Sequence, residues 1–103
     1  MSEHFRLPQA EIEAFCRKWK IKKLELFGSA VRGELTPESD IDLLATWQPD
    51  ADWSLLDHVR MERELSSVLD RKVDLVSRRA VEGSRNWILR QHILSSARTV
   101  YAA

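Results

Sequence analysis

Two apolar runs, Leu24-Glu25-Leu26-Phe27 and Asp40-Ile41-Asp42-Leu43-Leu44, stand twelve residues apart, and the link between them opens on Gly28-Ser29. Runs of this length, bounded by Gly, Pro and Ser, read as buried strands. Successive strand side chains point to opposite faces, so Asp40 and Asp42 project together from the second run. They fall where an apolar strand alternates inward, a costly place for two carboxylates unless something positive lies between them.

A hard cation with oxygen ligands answers that cost. Magnesium suits best, since it commonly takes one or two carboxylates and completes its shell with substrate phosphates. The turn before the pair supplies the matching half. Gly28 allows a tight bend and close backbone approach. Ser29 is placed to cap a short helix over 30–32 and to offer its hydroxyl to a phosphate oxygen. The N–H groups at such a helix start favour an anion. Arg32 adds charge one turn on, Gly33 ends the helix, and the loop to Ser39 returns the chain to the acidic strand. Alone, a Gly-Ser turn is ordinary loop chemistry and an Asp-x-Asp at a strand end is commonplace. Together, Gly28-Ser29 and Asp40-Ile41-Asp42 at ten residues' separation point to chemistry on a nucleoside triphosphate.

Lys72-Val73-Asp74-Leu75-Val76 is a further candidate strand with one acid among apolar neighbours. If it pairs beside the Asp40–Asp42 strand, Asp74 joins the cluster. Three carboxylates can hold two magnesium ions across an in-line displacement at phosphorus. Asp74 is then the candidate general base, facing the attacking hydroxyl and not the phosphates.

Gly28-Ser29-x-x-Arg32-Gly33, Ser39-Asp40-Ile41-Asp42-Leu43 and Val73-Asp74-Leu75 resemble the motifs of the minimal nucleotidyltransferases of the DNA polymerase β superfamily. The resemblance covers residues 24–76 by motif and the whole chain by length. It implies magnesium binding by Asp40, Asp42 and Asp74, and triphosphate contact at Gly28 and Ser29. Arg32, Gly33 and Ser39 match positions that accompany the motif. It also implies a palm-like α/β (α+β) domain of order αβαβαβα. Many small prokaryotic members are antitoxins encoded beside a HEPN-type ribonuclease toxin, which they silence by moving AMP from ATP to a tyrosine hydroxyl. Relatives often carry Asn-Pro before the last apolar helix; here Trp87 follows Asn86.

Along the chain, helices are expected over 8–20, 53–69 and 81–94, with strands over 21–27, 40–47 and 72–76. Residues 99–101 read either as the tail of the last helix or as an edge strand. The sheet is therefore mixed, with three strands or four. Ile12, Phe15 and Trp19 form one apolar face of the first helix, which makes Trp19 a core residue. Leu56, Val59, Leu65, Val68 and Leu69 are expected to face inward from the second. Asp40 and Asp42 sit at the start of their strand, unlike a Rossmann-type site at strand carboxyl ends.

At 103 residues the chain is expected to form one domain, spanning 1–103. Sixteen basic and sixteen acidic residues balance, which excludes a strongly electrostatic nucleic-acid binder. The single cysteine, Cys16, allows no internal disulfide and suits a cytoplasmic setting; it is expected to be half-buried. No apolar run approaches the length that spans a bilayer, and the first residues lack a signal-peptide pattern. The arginines at 78, 79, 85 and 90 form a cluster suited either to solvent or to steering ATP or an acidic partner. Arg85 and His92 have the spacing of the HEPN ribonuclease motif, but the expected strands exclude its helical bundle. His4 and His58 have no ligand partner in the sequence.

The leading expectation is a magnesium-dependent nucleotidyltransferase using ATP on an acceptor carried by a partner protein, in a hetero-oligomer with it. Steric occlusion of a toxin without turnover is one alternative. A small-molecule nucleotidyltransferase is another, although such relatives usually add a helical domain.

Overall fold

The structure is a computed structural model and describes residues 7–28, 31 and 40–103. Helix α1 (Gln9–Lys18) precedes strand β1 (Ile21–Phe27), and β2 (Ile41–Trp47) is followed by helix α2 (Leu55–Leu69). Strand β3 (Val73–Ser77), helices α3 (Arg78–Glu82) and α4 (Trp87–Ser96) and strand β4 (Arg98–Ala102) complete the order. The sheet runs β3-β2-β1-β4, so residues 98–102 settle the expected choice in favour of an edge strand. β1 lies antiparallel to both β2 and β4, whereas β2 and β3 are parallel. A parallel pair needs a crossover, and α2 provides it.

One face of the sheet carries the core. Leu24, Leu26, Ile41, Leu43, Val73 and Leu75 pack there against Ile12, Phe15, Cys16 and Trp19 from α1 and Met61 and Leu65 from α2. Cys16 is fully buried, deeper than its expected half-buried place. The opposite face is only partly roofed: α3 packs against β2 and β3, and Leu44 and Val81 are buried outside the main core.

Two expectations fail. Leu56 and Val59 are 60% and 39% exposed, because the inward stripe of α2 runs through Met61 and Leu65. The helix starts at a Ser54 cap, and Leu55 and Leu56 in its first turn are exposed. The single helix expected over 81–94 is two helices. Gly83 closes α3, and the Asn86 side chain accepts from Leu89 N–H to start α4. Gly and Asn at a stop and a start are the ordinary punctuation of two short helices. Among the described residues, no helix is long and apolar enough to cross a membrane.

Candidate functional site

β1 ends at Phe27, and Gly28 turns the chain with φ +79°, a left-handed conformation that favours glycine. A Cβ added at Gly28 would overlap Asp42 Oδ2 and lie 3.3 Å from Asp42 Cγ. The bare glycine therefore makes the space in which the Asp42 carboxylate stands. Val31 N–H donates to Gly28 C=O at 3.1 Å, and Val31 packs against the core. Ser29, Arg32, Gly33 and Ser39 lie outside the described residues.

Register brings two of the three predicted carboxylates together. Asp42 pairs with Phe27 on one side and with Asp74 on the other. Directly paired residues share a face, so Asp42 and Asp74 stand side by side on the open face. Asp40 precedes β2 by one residue on the same alternation, and its Oδ2 lies 4.0 Å from Lys72 Nζ. Among the described residues, no three acidic, histidine or cysteine side chains close around one point as a metal-binding group. The donor chemistry nevertheless suits a hard cation: two adjacent carboxylates, a third on the same alternation, and a bend where a Cβ is excluded.

A fourth acidic group on this face is absent from the sequence-based site. Glu25 lies opposite Leu44, one step along the face from Phe27, and is 4% exposed. Arg78 Nη1 donates to Glu25 Oε1, and Arg78 Nε donates to Glu82 Oε2 at 3.1 Å. The Glu25 hydrogen bond holds the guanidinium above its ordinary pKa. This bridge ties the start of α3 to β1 across the open face. Its signal was present in Leu24-Glu25-Leu26, an acid at an alternate position of an apolar strand, just as in β2.

A cleft of 390 Å³ lined by Trp47, Trp53, Leu55, His58 and Met61 lies at the far end of β2 and includes none of the acidic residues. It is mainly apolar and lies away from the Gly28–Asp42 end of the sheet.

Residues 11–98 match the family model described as the nucleotidyltransferase domain, and the chain belongs to that family. Within it, the chain is 36% identical over 64 residues to a proposed protein adenylyltransferase of Methanocaldococcus jannaschii. That match covers 62% of this chain and 64% of the relative, so it spans just under two thirds of the relative's length. The protein adenylyltransferase MntA of Thermococcus cleftensis is 32% identical over 75 residues, covering 72% of this chain and 74% of that protein. Among solved structures, a toxin–antitoxin crystallised with AMP-PNP superposes with a TM-score of 0.72 at 25% identity. That superposition covers 94% of this chain and 75% of the other.

Proposed function

We propose that this protein is an adenylyltransferase antitoxin: it moves AMP from ATP to a tyrosine hydroxyl on a cognate HEPN-type toxin in the cytoplasm. The observation that carries the reading is the Asp42–Asp74 pair on one open face, with Gly28 shaped around the Asp42 carboxylate. Family membership supports nucleotidyl transfer. A relative named as a protein adenylyltransferase supports a protein acceptor. The toxin–antitoxin neighbour with AMP-PNP supports both a toxin partner and an adenine nucleotide.

In this reading the bend at Gly28 and Ser29 admits the polyphosphate tail, with Arg32 and Ser39 alongside it. Asp74 lies on the outer strand, nearer the sheet's edge than Asp42, which suits it to an acceptor delivered by a partner. The acceptor oxygen bonds to the α-phosphorus, the bond from that phosphorus to the bridging oxygen breaks, and pyrophosphate leaves. The hydroxyl proton passes to the Asp74 carboxylate. Magnesium, held by Asp40, Asp42 and Asp74, would offset the phosphate charge and acidify the attacking hydroxyl.

The test incubates the protein with the product of its neighbouring gene, magnesium and ATP labelled at the α-phosphate. Label is expected on a partner tyrosine, with pyrophosphate released. Absence of transfer despite nucleotide binding counts against the proposal. Asp42→Ala separates turnover from occlusion: neutralisation of the toxin that survives the change favours a purely steric antitoxin.

A further inference from the structure

β3 carries Asp74 along an outer edge of the sheet, with β2 on one side only. Backbone groups of successive strand residues turn to alternate sides. Ile41 N–H donates to Lys72 C=O at 2.9 Å, so residue 72 turns towards β2 and residues 73 and 75 turn outward. Three of these outward groups have side-chain partners. Val73 N–H donates to Ser66 Oγ at 3.1 Å, and Leu75 N–H donates to Glu62 Oε2 at 2.8 Å. On the acceptor side, Leu75 C=O stands 2.7 Å from His58 Nε2, which must carry the proton there. His58, Glu62 and Ser66 follow one another at intervals of four residues, a single stripe along α2. Three side chains thus serve the outer edge as a fifth strand would, and they keep that edge from pairing with another chain.

We infer that Glu62, seconded by Ser66 and His58, is a positioning residue for Asp74; this rests on the reading of Asp74 as a reacting carboxylate. Asp74 lies between the two tethered residues. It cannot slide along β2 without breaking the bonds of both Val73 and Leu75. The Glu62 bond is the strong member, because an ionised carboxylate accepts it. An edge strand without such fixtures opens locally far more readily than the sheet interior, and a carboxylate misplaced by about 1 Å costs on the order of a hundredfold in rate.

The experiment compares the full chain with Glu62→Leu, Glu62→Gln, Ser66→Ala and Asp74→Asn. Three readouts are taken: amide exchange at Leu75, broadening of the Asp74 amide resonance by Mn2+, and kcat and KM for ATP with the partner as acceptor. In Glu62→Leu, Leu75 exchange is expected to rise about tenfold or more. The Mn2+ needed to broaden Asp74 should rise with it, while kcat falls about 10- to 100-fold with KM for ATP little changed. Glu62→Gln should restore all three, because its amide oxygen accepts the same N–H. Ser66→Ala gives a milder version of the same pattern, and it carries the test if Glu62→Leu does not fold. Wild-type exchange, Mn2+ response and kcat in Glu62→Leu, with Asp74→Asn inactive, would overturn the inference and leave the Asp74 reading intact. Full activity in Asp74→Asn would overturn the reading and the inference with it.

Discussion

Gly28→Ala tests the bend and the carboxylate together. An alanine held at φ +79° carries a left-handed penalty of about 1–2 kcal/mol. Its Cβ would also displace the Asp42 carboxylate, whose Cγ and Cβ lie 3.3 Å and 3.5 Å from the position it would occupy. Forcing that side chain off its rotamer adds about 0.5–1.5 kcal/mol. The loss of chain entropy in the unfolded state returns about 0.4–1 kcal/mol. At mid-range the net cost is about 2 kcal/mol, a fall in Tm of about 8–16 °C for a domain of this size. Activity should fall further than stability. The variant stays folded at 20 °C, yet Asp42 has moved, and about a hundredfold loss of adenylyl transfer is expected. Thermal melting followed by circular dichroism gives the first number, and label transfer from ATP at 20 °C gives the second. A variant that melts lower but transfers AMP at the wild-type rate would show that the place of Asp42 does not govern turnover. A variant unchanged in both would refute the steric argument itself.

Four other outcomes follow from the same geometry. Asp42→Ala and Asp74→Ala should each lower AMP transfer by at least about a hundredfold while leaving the melting transition cooperative; substantial activity in either removes that carboxylate from the chemistry. Arg78→Met leaves the buried Glu25 carboxylate to Lys23 Nζ, 3.9 Å away, and should cost about 2–3 kcal/mol in urea unfolding, the low side of a broken buried pair because Lys23 remains and Arg78 is partly exposed; adding Glu25→Gln should recover part of it, and strict additivity would show that the two do not interact. The Asp57 carboxyl is held below its ordinary value, first by the Ser54 backbone N–H and then by the Ser54 hydroxyl. A depressed carboxyl stabilises the fold above its unfolded pKa of 3.8 and loses that contribution as pH falls through the lower folded value, so Asp57→Asn should flatten the acid side of the stability profile below pH 4, and an unchanged acid limb would contradict the capping role. Burial pushes the Cys16 thiol up to about 12, so a thiol-specific disulfide reagent at pH 8 should label it only as fast as the protein unfolds; rapid stoichiometric labelling in native buffer would refute that burial.

The legible parts of this molecule are those set by local pattern. The apolar runs around residues 24 and 43 became β1 and β2, but the inward places expected for Asp40 and Asp42 went to Ile41 and Leu43, which leaves Asp42 on the opposite face. The alignment of Asp74 with Asp42 was conditional on strand pairing, which the residues of either strand do not encode alone; the α2 crossover decides it by making β2 and β3 parallel. The failures share a cause as well. Leu56 and Val59 have helical spacing suited to burial, but nothing local says which stripe of the helix meets the sheet, and Met61 and Leu65 take it. The division between α3 and α4 was written in Gly83 and Asn86, and the apolar residues on both sides masked it. His58, Glu62 and Ser66 gave no signal because their partners are backbone groups 17, 13 and 7 residues away, which no side-chain pattern reveals.

The two halves of the acidic face are built to different tolerances. On the β1 side, Asp42 is confined by backbone: its strand is hydrogen-bonded on both sides, and the Gly28 bend is shaped around its carboxylate. On the β3 side, Asp74 lies on an edge strand whose outward Val73 and Leu75 N–H groups are held by side chains from α2. Backbone confinement changes only with the fold, whereas a side-chain brace can be tuned residue by residue. That difference suits the chemistry. In the proposed reaction the nucleotide end would accept the same triphosphate on every turnover, and the acceptor end would fit the surface that a partner protein presents. Substitutions in α2 are therefore expected to alter kcat against a particular acceptor, whereas substitutions at the bend should lower transfer to all acceptors alike.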